Sequence, residues 1–243
     1  MKRALSLALL LLVLSGFAGH SGDKPPAPAK LVRTLIVGGG TEHDFDRWFN
    51  QSDATTLKAT GRFRVDYTEK PEEILVALRE SDVLVLAANQ PLGDPAVRRG
   101  ILAFANSGKG LVLLHPTVSY NWPDWPEFYQ ALVGGEARSH DKLGALEVTV
   151  LEEKHPVMAK VPSSFKVTDE LQRFEPEPKG MPVEVLATGE EPATGKIYPV
   201  VWTVKHPKAR IVCIALGHDL AAHSNTAYQA ILRNSLLWVS RKK

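Results

Sequence analysis

Four short, near-continuous apolar runs constrain this chain more than any other feature. They are Val32–Val37, Val83–Ala87, Gly110–Leu114 and Ile211–Leu216. A strand with one wet face alternates apolar and polar residues. A run without that alternation is buried on both faces, as in a parallel sheet covered by helices. Helical patterns separate the first runs. One starts near Asp44 with Phe45, Trp48 and Phe49 on a face, and a second starts at Pro71 with Ile74, Leu75 and Leu78. A third has Asp94 as N-cap, Pro95 in its first turn, an apolar face of Val97, Ile101, Phe104 and Ala105, and Gly108 at its end. Phe63–Tyr67 alternates as a further strand. The reading is an α/β fold, a flavodoxin-like three-layer sandwich with right-handed crossovers.

The second half is less regular. Pro126 opens a short helix with Phe128, Tyr129, Leu132 and Val133 that ends at Gly134-Gly135. Leu146–Leu151, Val183–Ala187 and Val200–Val204 read as strands, and His155–Phe165 ("HPVMAKVPSSF") as a loop. They are expected to add an antiparallel extension to the mostly parallel sheet. Thr226–Val239 reads as a closing amphipathic helix carrying Ile231, Leu232, Leu236 and Val239.

The chain opens with Lys2 and Arg3, an apolar stretch from Ala4 to Leu14, and small residues at Gly16, Ala18 and Gly19. That run is short of the about 20 residues a membrane span needs, and the pattern is that of a secretory signal peptide over residues 1–18. Residues 19–30 are Pro- and Ala-rich and read as a tether. Residues 31–243 are expected to form one domain, in a periplasmic or extracellular protein that is not inserted in a membrane after cleavage. The single Cys213 cannot form an internal disulfide, so a large core must supply the stability. The formal net charge is +2 and the one basic run is Arg241-Lys242-Lys243. Nucleic acid is therefore not an expected partner. The Gly38-Gly39-Gly40 turn lacks the spacing of a dinucleotide loop and the Lys of a P-loop, so no nucleotide cofactor is expected.

Ligands of open parallel sheets bind beyond the carboxyl ends of the strands. Each apolar run here ends in polar residues: His43 in the segment after the first, Asn89 after the third strand, His115 at the end of the fourth, and His218 after the last. If the topology holds, one rim gathers His43, His115 and His218 from three strands. His140 and the pair Asp169-Glu170 lie on connections that can fold over the same rim. His155 and His206, each before a proline, read as turn residues. His223 is five residues from His218, not the four that set a helical zinc pair. Trp122, Trp125 and Trp202 are candidate platforms for the apolar faces of sugars, and Asn89 a candidate hydroxyl ligand.

The motifs occur in a fixed order. A Gly-Gly turn leads to His43 and Phe45, "GLVLLH" ends at His115, and Gly134-Gly135 precedes His140. Then come "HPV" at His155, "DE" at Asp169-Glu170, "PVVW" at Pro199–Trp202 and "LGHD" at Leu216–Asp219. In this the sequence resembles the ThuA-like family, named for trehalose utilisation, over about Leu31 to Trp238. That family's fold is similar to class I glutamine amidotransferases. The resemblance implies a role with disaccharides or their keto forms, and assigns the polar site to His43, His115, His140, Asp169, Glu170 and His218. Two positions depart from the family pattern: Glu136-Ala137 and Gln172 stand where aromatic residues are usual. The cysteine nucleophile of an amidotransferase would stand where this chain has His115.

Two mechanisms fit a hydrolase or lyase. In one, His43, His115 and His218 hold a divalent metal such as zinc. In the other, a histidine–carboxylate pair does general acid–base work without a metal. The competing readings are a non-catalytic carbohydrate-binding module and an inert amidotransferase-like scaffold.

Overall fold

The computed structural model describes residues 30–120 and 122–241. The expected signal peptide, and all of the tether but Lys30, lie outside the described residues. The parallel core is formed by β1 (Val32–Val37), β2 (Phe63–Thr68), β3 (Val83–Leu86), β4 (Gly110–Leu114) and β11 (Ile211–Ile214). Their order in space is β2-β1-β3-β4-β11, with every neighbouring pair parallel. The extension adds β10 (Ile197–Val204), β9 (Val183–Glu190), β6 (Gly144–Val150) and β7 (Ser164–Asp169), each antiparallel to its neighbour, to complete nine strands. A separate two-stranded sheet pairs β5 (Gly135–His140) with β8 (Gln172–Pro176).

The continuous apolar runs are explained by two cores, one on each face. Ile36, Val85, Val112, Leu114, Val212 and Ile214 belong to the first. The alternate residues Leu35, Leu84, Leu86, Leu111, Leu113 and Cys213 belong to the second. Successive side chains of a strand point to opposite faces, so a strand between two cores must be apolar throughout. α1 (Ala54–Lys58) and α7 (Thr226–Val239) cover the first face, through Leu57, Ile231, Leu232 and Leu236. α2 (Pro71–Glu80) and α3 (Pro95–Asn106) cover the second, through Ile74, Leu78, Val97, Ile101 and Phe104. Asp94 caps α3 by accepting from the Ala96 amide at 2.7 Å.

Some segments differ from the sequence reading. The helix expected from about Asp44 is wound as a π-helix over Asp46–Asp53 before it continues as α1. Gly135–His140 and Gln172–Pro176 are strands, and so is Ser164–Asp169, whose first two residues fell in the expected loop. In Ser164–Asp169 the inward Val167 and Asp169 alternate with exposed Ser164, Lys166 and Thr168. That period of two is present in the sequence but is short and interrupted by charge.

The aromatic platforms are a correction. Trp122, Trp125 and Trp202 are 2%, 3% and 0% exposed. Trp122 and Trp125 pack with Phe128 over the second face, and Trp122 donates its indole N–H to the Gln90 carbonyl at 3.0 Å. Trp202 stacks on Phe174 with centroids 4.0 Å apart and donates to the Val133 carbonyl at 2.9 Å. Indole is large and apolar with one donor, and each of these two donors is already used inside the fold. Replacing Trp202 by alanine is expected to cost about 3–5 kcal/mol, the usual loss for a deleted core aromatic. Urea denaturation measures this, and a loss below about 1 kcal/mol would show that the ring does not belong to the core.

Candidate functional site

The site lies at the carboxyl ends of β1, β4 and β11, and each imidazole is placed by a local device. After β1 the chain turns through Gly39 and Gly40, with φ of +96° and +139°. A Cβ on Gly40 would stand 1.8 Å from Asn89 Oδ1, so the turn can close only with glycine. Asn89 accepts from the Thr41 amide at 3.0 Å and donates to the Thr41 carbonyl at 2.8 Å. The same carbonyl faces His43 Nδ1 at 3.3 Å. Asn89, expected to meet substrate, is 7% exposed and has both ends of its amide engaged by Thr41. It therefore positions the loop that carries His43.

His115 is the first residue of α4 (His115–Tyr120), directly after β4. Pro116 is compatible with a helix start, because the N–H it lacks would have had no partner there. The His115 ring is 1% exposed, and its Nδ1 lies 2.7 Å from the Ala215 carbonyl just beyond β11. A carbonyl only accepts, so Nδ1 carries a proton. Gln172 Nε2 donates to the His115 carbonyl at 3.0 Å, which steadies the backbone beneath the ring.

His218 follows Gly217, whose φ is +119°. Asp169 accepts from the amides of Gly217 at 2.8 Å and His218 at 3.2 Å, and also from the Glu170 amide at 2.8 Å. With its oxygens turned to backbone and 2% exposure, Asp169 holds the rim together from behind. Burial pushes its carboxyl up, opposed by His115 and these amides.

The three rings meet nearly edge to face. Centroids are 5.4 Å apart for His43 and His115, 5.0 Å for His43 and His218, and 5.5 Å for His115 and His218. One nitrogen from each lies within 4.8 Å of the others. Nitrogens sharing a tetrahedral ion at about 2.0–2.1 Å sit roughly 3.4 Å apart, so modest ring rotations would bring these three to one ion. His43 Nε2 and His218 Nδ1 are buried with no hydrogen-bond partner. Glu170 completes the cluster. Its Oε2 is 3.2 Å from His218 Nδ1, too poorly aligned for a hydrogen bond, 3.4 Å from His140 Nδ1 and 3.7 Å from His115 Nε2. His140, on β5, is half exposed at the mouth.

The electrostatics favour a neutral His43 ring and an ionised Glu170 carboxylate. Burial, and then the neighbouring His115, push His43 down to about 4. Burial pushes Glu170 up, but His115, His218 and His140 outweigh it and hold the carboxyl below the usual range. A surface cavity of about 690 Å³ lined by Lys30, Val32, Asp82, Gly110 and Lys208 lies at the opposite ends of the strands and contains none of these groups.

The other histidines among the described residues serve the fold. Nδ1 of His155 accepts from the Val157 amide, and Nδ1 of His206 from those of Lys208 and Ala209, as expected of turn residues. His223 is buried against Asp53. Asp53 has no apolar periodicity or motif to mark it, so sequence reasoning passed over it.

The sequence matches the ThuA family, described as trehalose utilisation, over residues 11–239. No functionally curated protein matches it. Among solved structures, the fold is similar to a ThuA-like protein from Parabacteroides merdae, with TM-score 0.77 and 21% identity over 87% of this chain and 90% of the other. A ThuA-like protein from Bacteroides uniformis gives TM-score 0.71 and 22% identity over 93% and 97%. The glutaminase domain of Trypanosoma brucei CTPS gives 0.52 and 13% over 87% and 95%.

Histidine-detected NMR is expected to find the His43 ring titrating near pH 4 in the metal-free protein, against an ordinary value of about 6.5. Between those values the unfolded chain holds a proton that the folded chain does not. The His43 contribution to stability is therefore intact above about pH 6.5 and lost as pH falls toward 4. A His43 ring that titrates at 6.5 or higher contradicts this burial. An H43Q variant assigns the resonance.

Proposed function

Because the chain belongs to the ThuA family of trehalose utilisation, we propose that it is a hydrolase or lyase acting on a disaccharide or keto-sugar, with a divalent cation such as zinc held by His43, His115 and His218. One observation carries this reading: the three imidazoles converge within 4.8 Å, two of them with buried nitrogens that have no hydrogen-bond partner. Unsatisfied buried polar atoms are costly, and a cation satisfies the lone pairs of neutral rings. His43, held far below neutrality, is in the ligand form at physiological pH. The backbone carbonyls of Thr41 and Ala215 orient the first two rings through Nδ1, as outer partners of ligating histidines commonly do.

A divalent ion there supplies Lewis acidity toward a substrate carbonyl or an attacking water. Glu170 is the proton carrier. As an ionised carboxylate beside the rings it takes a proton from water in hydrolysis, or from the carbon next to the keto group in elimination. It returns that proton to the departing glycosidic oxygen as the C–O bond breaks. His140, half exposed, lies 3.4 Å from Glu170. Burial of Trp122, Trp125 and Trp202 removes the platforms that a sugar-binding module would use. The proposal includes export to a periplasm or exterior, supported by the charged and apolar pattern of residues 2–19. The low net charge suits a small carbohydrate better than nucleic acid.

The purified protein is expected to bind about one zinc per chain. H115A should weaken zinc by at least the 10–100-fold typical of losing even an outer-shell partner. Disaccharides and their 3-keto derivatives are the substrates to offer, with products followed by mass spectrometry. E170Q is expected to abolish turnover while keeping the metal. Undiminished turnover by metal-free protein would remove the metal, and binding without conversion across the panel would remove the enzyme.

A further inference from the structure

A second polar cluster stands behind the rim, inside the core. His223 closes the short helix α6 (Leu220–His223) and is 0% exposed. Its Nδ1 is 2.7 Å from Asp53 Oδ1 and its Nε2 3.1 Å from the Gly217 carbonyl. Tyr228, on α7, donates its hydroxyl to Asp53 Oδ2 at 3.0 Å. Trp48 and Phe49, from the π-helical segment that ends at Asp53, pack on the imidazole with centroids 6.1 and 5.0 Å away. Both neighbours of the ring nitrogens are acceptors. The ring therefore donates from both sides, as an imidazolium against the carboxylate or with its second proton shared with Asp53.

Such a group adds little net stability, since an apolar side chain of similar volume would serve packing as well. Its value lies in what it holds. The Gly217 carbonyl bound by His223 belongs to the peptide whose amide is that of His218. That amide donates to Asp169 Oδ1 at 3.2 Å. The two ends of one peptide dipole are thus gripped from opposite sides, the carbonyl by an imidazole donor and the N–H by a carboxylate. Tyr228 also closes the space over Gly217, where a Cβ would meet its hydroxyl at 3.1 Å. Asp53, at the far end of the chain of bonds, is the last residue of the π-helical stretch that begins just after the His43 loop and runs on into α1.

We propose that His223, Asp53 and Tyr228 form a positioning relay that fixes the Gly217–His218 peptide, and with it the His218 imidazole, and ties that imidazole to the helix following His43. Two of the three rim histidines, from strands at different places in the sheet, are thereby set as one unit. All three relay residues are buried. The inference rests on the metal-centre reading for one of its two readouts.

The test uses the full chain with H223Q, D53N and Y228F, each checked for fold by circular dichroism. The first readout is the ring ¹⁵N shifts of His218 and His43 in metal-free protein. H223Q is expected to move those of His218, and D53N those of both rings. The second is zinc affinity by calorimetry, expected to fall about 10–100-fold in H223Q and by less in Y228F, as for other outer-shell changes. A role confined to stability would lower the unfolding midpoint and leave both readouts where they were, which overturns the proposal. If H223Q does not fold, Y228F, which keeps the ring and removes one hydrogen bond, decides the matter by the same shifts. If the wild-type chain binds no zinc, the metal reading fails by itself and the ring shifts still decide the relay.

Discussion

Parallel pairing of β3, β4 and β11 between two apolar cores is the constraint on which the site depends. Val112 is level with Val85 on one side and Val212 on the other, so these strands end at nearly the same height. In a parallel set every carboxyl end lies on the same edge. Histidines that follow β1, β4 and β11 therefore arrive at that edge without further design. The rigidity comes from the packing on both faces and not from the polar residues themselves. That is why buried imidazoles can be tolerated there: the backbone beneath them has no room to collapse away from an unfavourable group.

The two adjacent acids of the rim divide the labour by environment. Asp169 is enclosed and accepts three backbone amides, so it is committed to holding the β11 exit loop in place. Glu170 has one more methylene and is partly open, and it reaches the imidazoles instead. Burial alone would favour a neutral acid at both positions. At Glu170 the surrounding rings outweigh burial and favour the anion, so one carboxylate beside three convergent rings is the state the electrostatics select.

Much of this was legible before the structure. The four apolar runs gave the parallel sheet, and the polar residues at the carboxyl ends of those runs gave His43, His115 and His218. Those inferences need only strand polarity. What was not legible depended on partners distant in sequence. Trp122, Trp125 and Trp202 read the same whether they face solvent or core, and only the positions of Gln90 and Val133 decide it. Asn89 looked free until its clamp on Thr41, 48 residues away, was seen. Asp53 and His223 meet across 170 residues, and Asp53 and Tyr228 across 175, in segments with no motif. Outlying strands such as β5 and β8 lack continuous apolar runs, because little of their surface is buried.

The turn after β4 carries an imidazole, His115, whose Nδ1 proton is committed to Ala215 and whose Nε2 faces Glu170. The chain's one thiol, Cys213, lies within β11, fully buried and level with Leu113, and burial pushes it well above its ordinary value. A buried thiol held in its protonated form is a poor nucleophile. The turn after β4 thus carries an imidazole held between a backbone carbonyl and a carboxylate, with the two other rim imidazoles centred 5.4 and 5.5 Å away.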